Sequence, residues 1–152
     1  MKVQVPQEYF DALKKQFLEM DYTNIDPEIV DTLALFKNSP VLDKVVPRWS
    51  CQGHSDKARD DAFYIIFCTV DDGDDFLLDF SQRIIKKFHE QYGWLYLAGT
   101  SLRIVNLVHR DYGVYPHIQV QTSNEGDQDV IDKTKPIWKE AFDELIKEHY
   151  EL

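Results

Sequence analysis

The chain of 152 residues carries 27 acidic against 17 basic side chains, a formal charge of −10. That balance disfavours non-specific nucleic-acid binding, which is carried by clustered Lys and Arg. The 43% hydrophobic and 13% aromatic content exceeds what a disordered segment carries and suits one domain around one core. No apolar run approaches the roughly 20 residues of a membrane-spanning helix, and two cysteines with no basic-plus-apolar leader before them point to a reducing, cytoplasmic setting.

After Pro6, residues Tyr9, Phe10, Leu13, Phe17 and Met20 recur at three- and four-residue steps, which predicts an amphipathic helix. Asp26-Pro27 offers an N-cap and a first-turn proline for a second helix whose stripe is Ile29, Val30, Leu33 and Phe36, stopped by Asn38-Ser39-Pro40. Val41 to Val46 leads through Pro47 into an extended segment, because a residue before proline is biased away from helix. Phe63 to Val70 is apolar on both alternating faces and reads as a central strand covered on both sides.

Asp71-Asp72-Gly73-Asp74-Asp75 lacks the alternation and terminal Glu of a helix-loop-helix calcium site, so it is read as a turn plus N-cap. It opens a helix with Leu77, Phe80, Ile84 and Phe88 on one stripe and Gly93 as its C-terminal cap. Trp94 to Ala98, Leu102 to Val108 and His117 to Thr122 read as three strands of a meander. A last helix spans Thr134 to His149 with Pro136 in its first turn, preceded by a separate helical turn at 128–133. The expected fold is a single α+β domain, residues 1–152, with a mostly antiparallel sheet of four to five strands and about four helices.

The stretch Pro47-Arg48-Trp49-Ser50-Cys51-Gln52-Gly53-His54 gathers a guanidinium, a hydroxyl, a thiol and an imidazole. Strand alternation divides it into an inward pair, Trp49 and Cys51, and an outward trio, Ser50, Gln52 and His54. Cys51 and His54 have the spacing of half a zinc site, with Cys68, His89, His109, His117 and His149 as sources of further ligands. Alternatively Cys51 is a catalytic thiol activated by His54 or Arg48.

In His117-Ile118-Gln119-Val120-Gln121 the apolar pair faces the core, leaving His117, Gln119 and Gln121 on an outward, solvated face. Arg103 interrupts a neighbouring apolar strand. Arg48, Ser50, Gln52, His54, Arg103, His117 and Gln119, with Arg110 as a further cation, supply the donors that a phosphate, nucleotide or carboxylate requires. No phosphate-binding loop, dinucleotide fingerprint, nucleophile elbow or H-E-x-x-H pattern occurs.

Trp49-Ser50-Cys51-Gln52-Gly53-His54, followed by a charged loop and an apolar strand, resembles the S-C-x-G-H element of small uncharacterised bacteriophage proteins, which implies no activity. Ser50, Cys51 and Gly53 are also similar to the S-C-S-G segment of the wybutosine-synthesis tRNA methyltransferase family, in an element order covering about residues 25 to 122. Gln52 replaces the second serine there, and His54 stands where a basic residue is usual. That second resemblance implies methyl transfer from S-adenosylmethionine.

The expected function is a phage-accessory type of protein that binds a nucleotide-like or phosphorylated ligand, or a host protein. The alternatives are an S-adenosylmethionine-dependent, tRNA-modification-like enzyme and a zinc-stabilised interaction module. The residues name no cofactor.

Overall fold

The structure is a computed structural model that describes residues 2–23, 27–51, 62–93, 100–123 and 128–150. Two helices come first, α1 (Gln7–Leu18) and α2 (Pro27–Lys37), followed by a 3-10 turn at Pro40–Asp43. Strands β1 (Val45–Cys51) and β2 (Ala62–Thr69) precede a long helix, α3 (Gly73–Tyr92), and strands β3 (Thr100–His109) and β4 (Gly113–Ser123) precede the last helix, α4 (Gln128–Tyr150). The four strands form one antiparallel sheet in the order β1-β2-β4-β3. This is an α+β domain.

The sheet has two chemically different faces. Ile65 pairs with Val120 and Phe67 with Ile118, placing the odd residues of β2 and the even residues of β4 on one side. Helices α2, α3 and α4 cover that side through Phe36, Phe80, Trp138 and Phe142, whose rings meet each other and Phe67 and Phe63 at centroid distances from 4.5 to 6.2 Å. Phe36, Phe63, Phe67, Phe80 and Trp138 are fully buried, and removing each from water contributes roughly 1.5–3 kcal/mol. The Trp138 indole N–H, which burial would otherwise orphan, donates to Thr122 Oγ1 at 3.1 Å.

Helix α1 covers the other side. Its stripe of Tyr9, Phe10, Leu13 and Phe17 is buried, as the three- and four-residue spacing predicts. The segment before it is tied to the far end of β2: Val5 N–H donates to the Thr69 carbonyl at 2.9 Å, Thr69 Oγ1 to the Val3 carbonyl at 2.6 Å, and Val3 N–H to the buried Asp74 carboxylate at 2.8 Å. Gly73 lies directly on the backbone of Lys44, where a β-carbon would come within 2.2 Å of the carbonyl oxygen.

Several expectations are corrected. The segment from Val41 does lead through Pro47 into an extended strand, β1, as expected, but it opens with the 3-10 turn, capped by Ser39 Oγ accepting from Val41 N–H. Asp72 stands at the N-cap of α3 but makes no side-chain cap bond, because its carboxylate is ion-paired to Lys44 at 2.7 Å. Helix α4 is continuous from Gln128, so Pro136 lies inside it rather than in its first turn. Burial of Ile137, Trp138, Ala141, Phe142 and Leu145 against the sheet and its helices outweighs the local penalty of that proline.

The expected strands at 102–108 and 117–122 are β3 and a shortened view of β4. They are joined by a short turn at 110–112 and pair antiparallel as the meander expects, and β4 pairs on its other side with β2. The strand expected at Trp94 to Ala98 and the cap expected at Asp26 lie outside the described residues.

A buried tyrosine, histidine and arginine beside an apolar groove

Strand β1 carries one extra residue. Pro47 pairs with Phe67 and Trp49 with Ile66, so Arg48 is the unpaired residue of a β-bulge. A bulge re-aims the side chain it carries, and proline is tolerated at such a site because no ladder N–H is needed there. The Arg48 side chain is directed across the α1 side of the sheet. It donates through Nη1 to the Tyr9 hydroxyl at 2.8 Å and through Nη2 to the Val108 carbonyl at 3.1 Å.

The β3–β4 hairpin makes the last contact possible. Pairing of β4 with β2 ends at Phe67↔Ile118, whereas β3 and β4 continue together to His109↔Gly113. The extended tip comes onto α1, where the Tyr9 ring meets His109, Tyr112, Tyr115 and His117 at centroid distances of 5.1 to 5.7 Å. Tyr9 and His117 are fully buried as a result.

Hydrogen-bond logic fixes the proton positions. A carbonyl only accepts, so His117 Nδ1 donates to the Tyr115 carbonyl at 2.8 Å, and in the neutral ring Nε2 is the acceptor. The Tyr9 hydroxyl therefore donates to Nε2 at 2.8 Å while accepting from Arg48, giving a directed chain from Arg48 through Tyr9 to His117. The guanidinium Nη1 is itself 3.3 Å from His117 Nε2.

Burial lowers the His117 pKa to about 4, opposed by the Tyr115 carbonyl and assisted by the Arg48 charge. Burial raises the Tyr9 pKa to about 12, although Arg48 partly offsets it. Both groups are neutral at physiological pH.

Arg48 also lines a groove of about 560 Å³, with Leu13, Phe17 and Met20 from the α1 side, Leu33 from α2 and Pro47 from β1. Gln16, Glu19 and His109 complete it. His109 Nδ1 accepts the Asp111 N–H at 3.1 Å, which leaves its Nε2 as the protonated nitrogen of the neutral ring. The groove thus combines apolar side chains with three nitrogen-donor side chains, Gln16, Arg48 and His109, and one carboxylate, Glu19.

Of the residues predicted for a site, Arg48 and His117 come together. Arg103 and Gln119 form a second pair, with Arg103 Nη2 donating to Gln119 Oε1 at 3.3 Å. Ser50 pairs in register with Ile65, while Gln52 and His54 lie outside the described residues. The strand-alternation reading of Trp49, Cys51 and the outward trio therefore has no described side chains to compare with.

His117 and Gln119 do not occupy a solvated face, since His117 is fully buried and Gln119 is 6% exposed. The hairpin tip and α1 cover His117, a long-range arrangement that strand alternation does not contain. Arg110 is 93% exposed, ion-pairs with Asp111 and does not line the groove. Cys68 is a free, buried thiol pushed up to about 12 by desolvation. No group of three His, Cys, Asp or Glu positioned for a metal occurs among the described residues.

Sequence reasoning assigned Tyr9 to the core and passed over its hydroxyl. The available signal was a tyrosine on an otherwise apolar helix stripe, whose O–H requires a partner once buried. For His109 the sequence suggests only a source of a zinc ligand. No protein-family model, curated protein or solved structure matches the chain. No helix among the described residues is long and apolar enough to cross a membrane.

Proposed function

We propose that this is a small cytoplasmic binding protein, of the phage-accessory type, that holds a nucleotide-like or otherwise phosphorylated small molecule. The observation that carries this reading is the groove itself, an apolar trough of about 560 Å³ with Arg48 in its wall. Pockets of roughly 300–1,000 Å³ with apolar lining and a few placed polar groups are typical of small-molecule sites. The ring or base of the ligand packs against Phe17, Met20 and Leu33, and its anionic group meets Arg48 and His109.

Two features support binding over proton-transfer chemistry. Arg48 is oriented by Tyr9 and the Val108 carbonyl, which reduces the ordering cost of ligand binding. The nearby titratable groups Tyr9 and His117 are displaced to about 12 and about 4, away from the range in which a general acid or base works best.

A thermal-shift screen of nucleoside mono-, di- and triphosphates, with S-adenosylmethionine included, tests the proposal. The expected result is a rise in Tm with at least one phosphorylated compound that Arg48→Ala or Phe17→Ala removes. No shift with any phosphorylated compound would overturn it, and a shift with S-adenosylmethionine alone would favour the methyl-transfer reading.

A further inference from the structure

Strand β3 borders the sheet, paired with β4 and with no other strand among the described residues. Natural edge strands are blunted by proline, lysine, bulges or inward charges, because an open row of N–H and C=O groups recruits another strand. β3 contains no proline, glycine or lysine, and its register with β4 is unbroken from Thr100↔Thr122 to His109↔Gly113. Ile104 is 53% exposed and Val108 68%, and Val114, opposite Val108 on β4, is 60% exposed. These are the three most exposed large hydrophobic side chains among the described residues.

We propose that β3 pairs antiparallel with β3 of a second copy about a two-fold axis at Asn106, forming one continuous sheet across a dimer. The sequence favours that register. An axis at Asn106 sets Ile104 opposite Val108 of the other copy and Val105 opposite Leu107, so the four apolar residues flanking Asn106 meet one another. An axis at Val105 would set Ile104 opposite Asn106, and one at Leu107 would set it opposite Arg110. The Val108 carbonyl, which accepts from Arg48, retains a second lone pair for the new ladder.

Charge selects the same surface. Residues 100–123 hold two arginines and one aspartate, a net charge of +1, against −11 for the remainder of the chain. Two copies approaching through this hairpin therefore keep their acidic surfaces apart. The pairing also sets Arg103 opposite His109 of the other copy, adding a cation beside the groove; that one consequence rests on the ligand-binding reading, whereas the dimer does not.

Sedimentation velocity on the full chain, without ligand, tests the dimer at two ionic strengths. Dimer is expected, with a larger dimer fraction at higher salt because screening weakens the long-range repulsion between acidic chains. Val108→Lys should give monomer with an unchanged far-ultraviolet circular dichroism spectrum and a Tm that no longer rises with protein concentration. In a Cys51→Ser background, Asn106→Cys should form a covalent dimer on mild oxidation and Ile104→Cys should not, since only the residue on the axis faces its own copy. Monomer at every salt, or equal cross-linking at both positions, would overturn the proposal. Capture of an added strand-forming acidic peptide by an otherwise monomeric chain would also overturn it.

Discussion

The guanidinium of Arg48 lies 3.3 Å from Nε2 of His117, a half-buried permanent cation beside a fully buried imidazole. The pair is compatible only while His117 is neutral, because protonation would set two positive charges side by side. The Tyr9 hydroxyl, accepting from one and donating to the other, is what lets the two share the space.

Acid should therefore loosen the fold through His117. Its folded pKa of about 4 lies below the ordinary 6.5, so the unfolded chain takes up the proton first. The stabilisation is complete above about pH 6.5 and is lost as pH falls through about 4, amounting to roughly 3 kcal/mol. Urea unfolding at about pH 7.5 and about pH 4.5 should show the loss, and His117→Gln should flatten the pH dependence by a similar amount. An identical pH slope in both proteins would contradict this account.

Tyr9→Phe keeps the ring among His109, Tyr112, Tyr115 and His117 but deletes the bridging hydroxyl. The buried His117 Nε2 then loses its 2.8 Å donor, at a cost of about 1–3 kcal/mol. The denaturant midpoint should fall while the far-ultraviolet circular dichroism spectrum stays unchanged.

Gly73→Ala should destabilise although alanine is the better helix former. Its β-carbon would sit 2.2 Å from the Lys44 carbonyl, an oxygen that already accepts the Val70 N–H at 3.0 Å and has no flexible side chain to give way. The backbone shift costs about 1–3 kcal/mol, more than the propensity gain of about 1 kcal/mol. Calorimetry of the variant should show a lower Tm.

The Cys68 thiol should resist alkylation in the folded protein. Burial both excludes reagent and pushes its pKa up to about 12, so the reactive thiolate is scarce at neutral pH. Mass-spectrometric labelling with iodoacetamide should modify Cys68 only under denaturing conditions; rapid native labelling would refute the assignment.

Periodicity exposed the local design of this chain well. The stripe of Tyr9, Phe10, Leu13 and Phe17, the doubly covered strand from Phe63, and the cap at Gly93, with its φ of +83°, all depend on residues close in sequence. Arg48 was singled out as an anion-binding donor, but its bulge was not foreseen, because an inserted residue is defined by the partner strand. His117 was misjudged for a related reason. Its exposure depends on a hairpin tip and a helix 108 residues distant in sequence, and alternation along β4 reports neither.

The three bonds that tie the first residues to Thr69 and Asp74 also constrain the order of events during synthesis. Val3 and Val5 leave the ribosome well before the strand and helix that receive them, and Tyr9 waits still longer for His117, so the amino-terminal apolar stripe spends that interval without its native cover. At a typical elongation rate of roughly 5–20 residues per second, the exposure lasts several seconds.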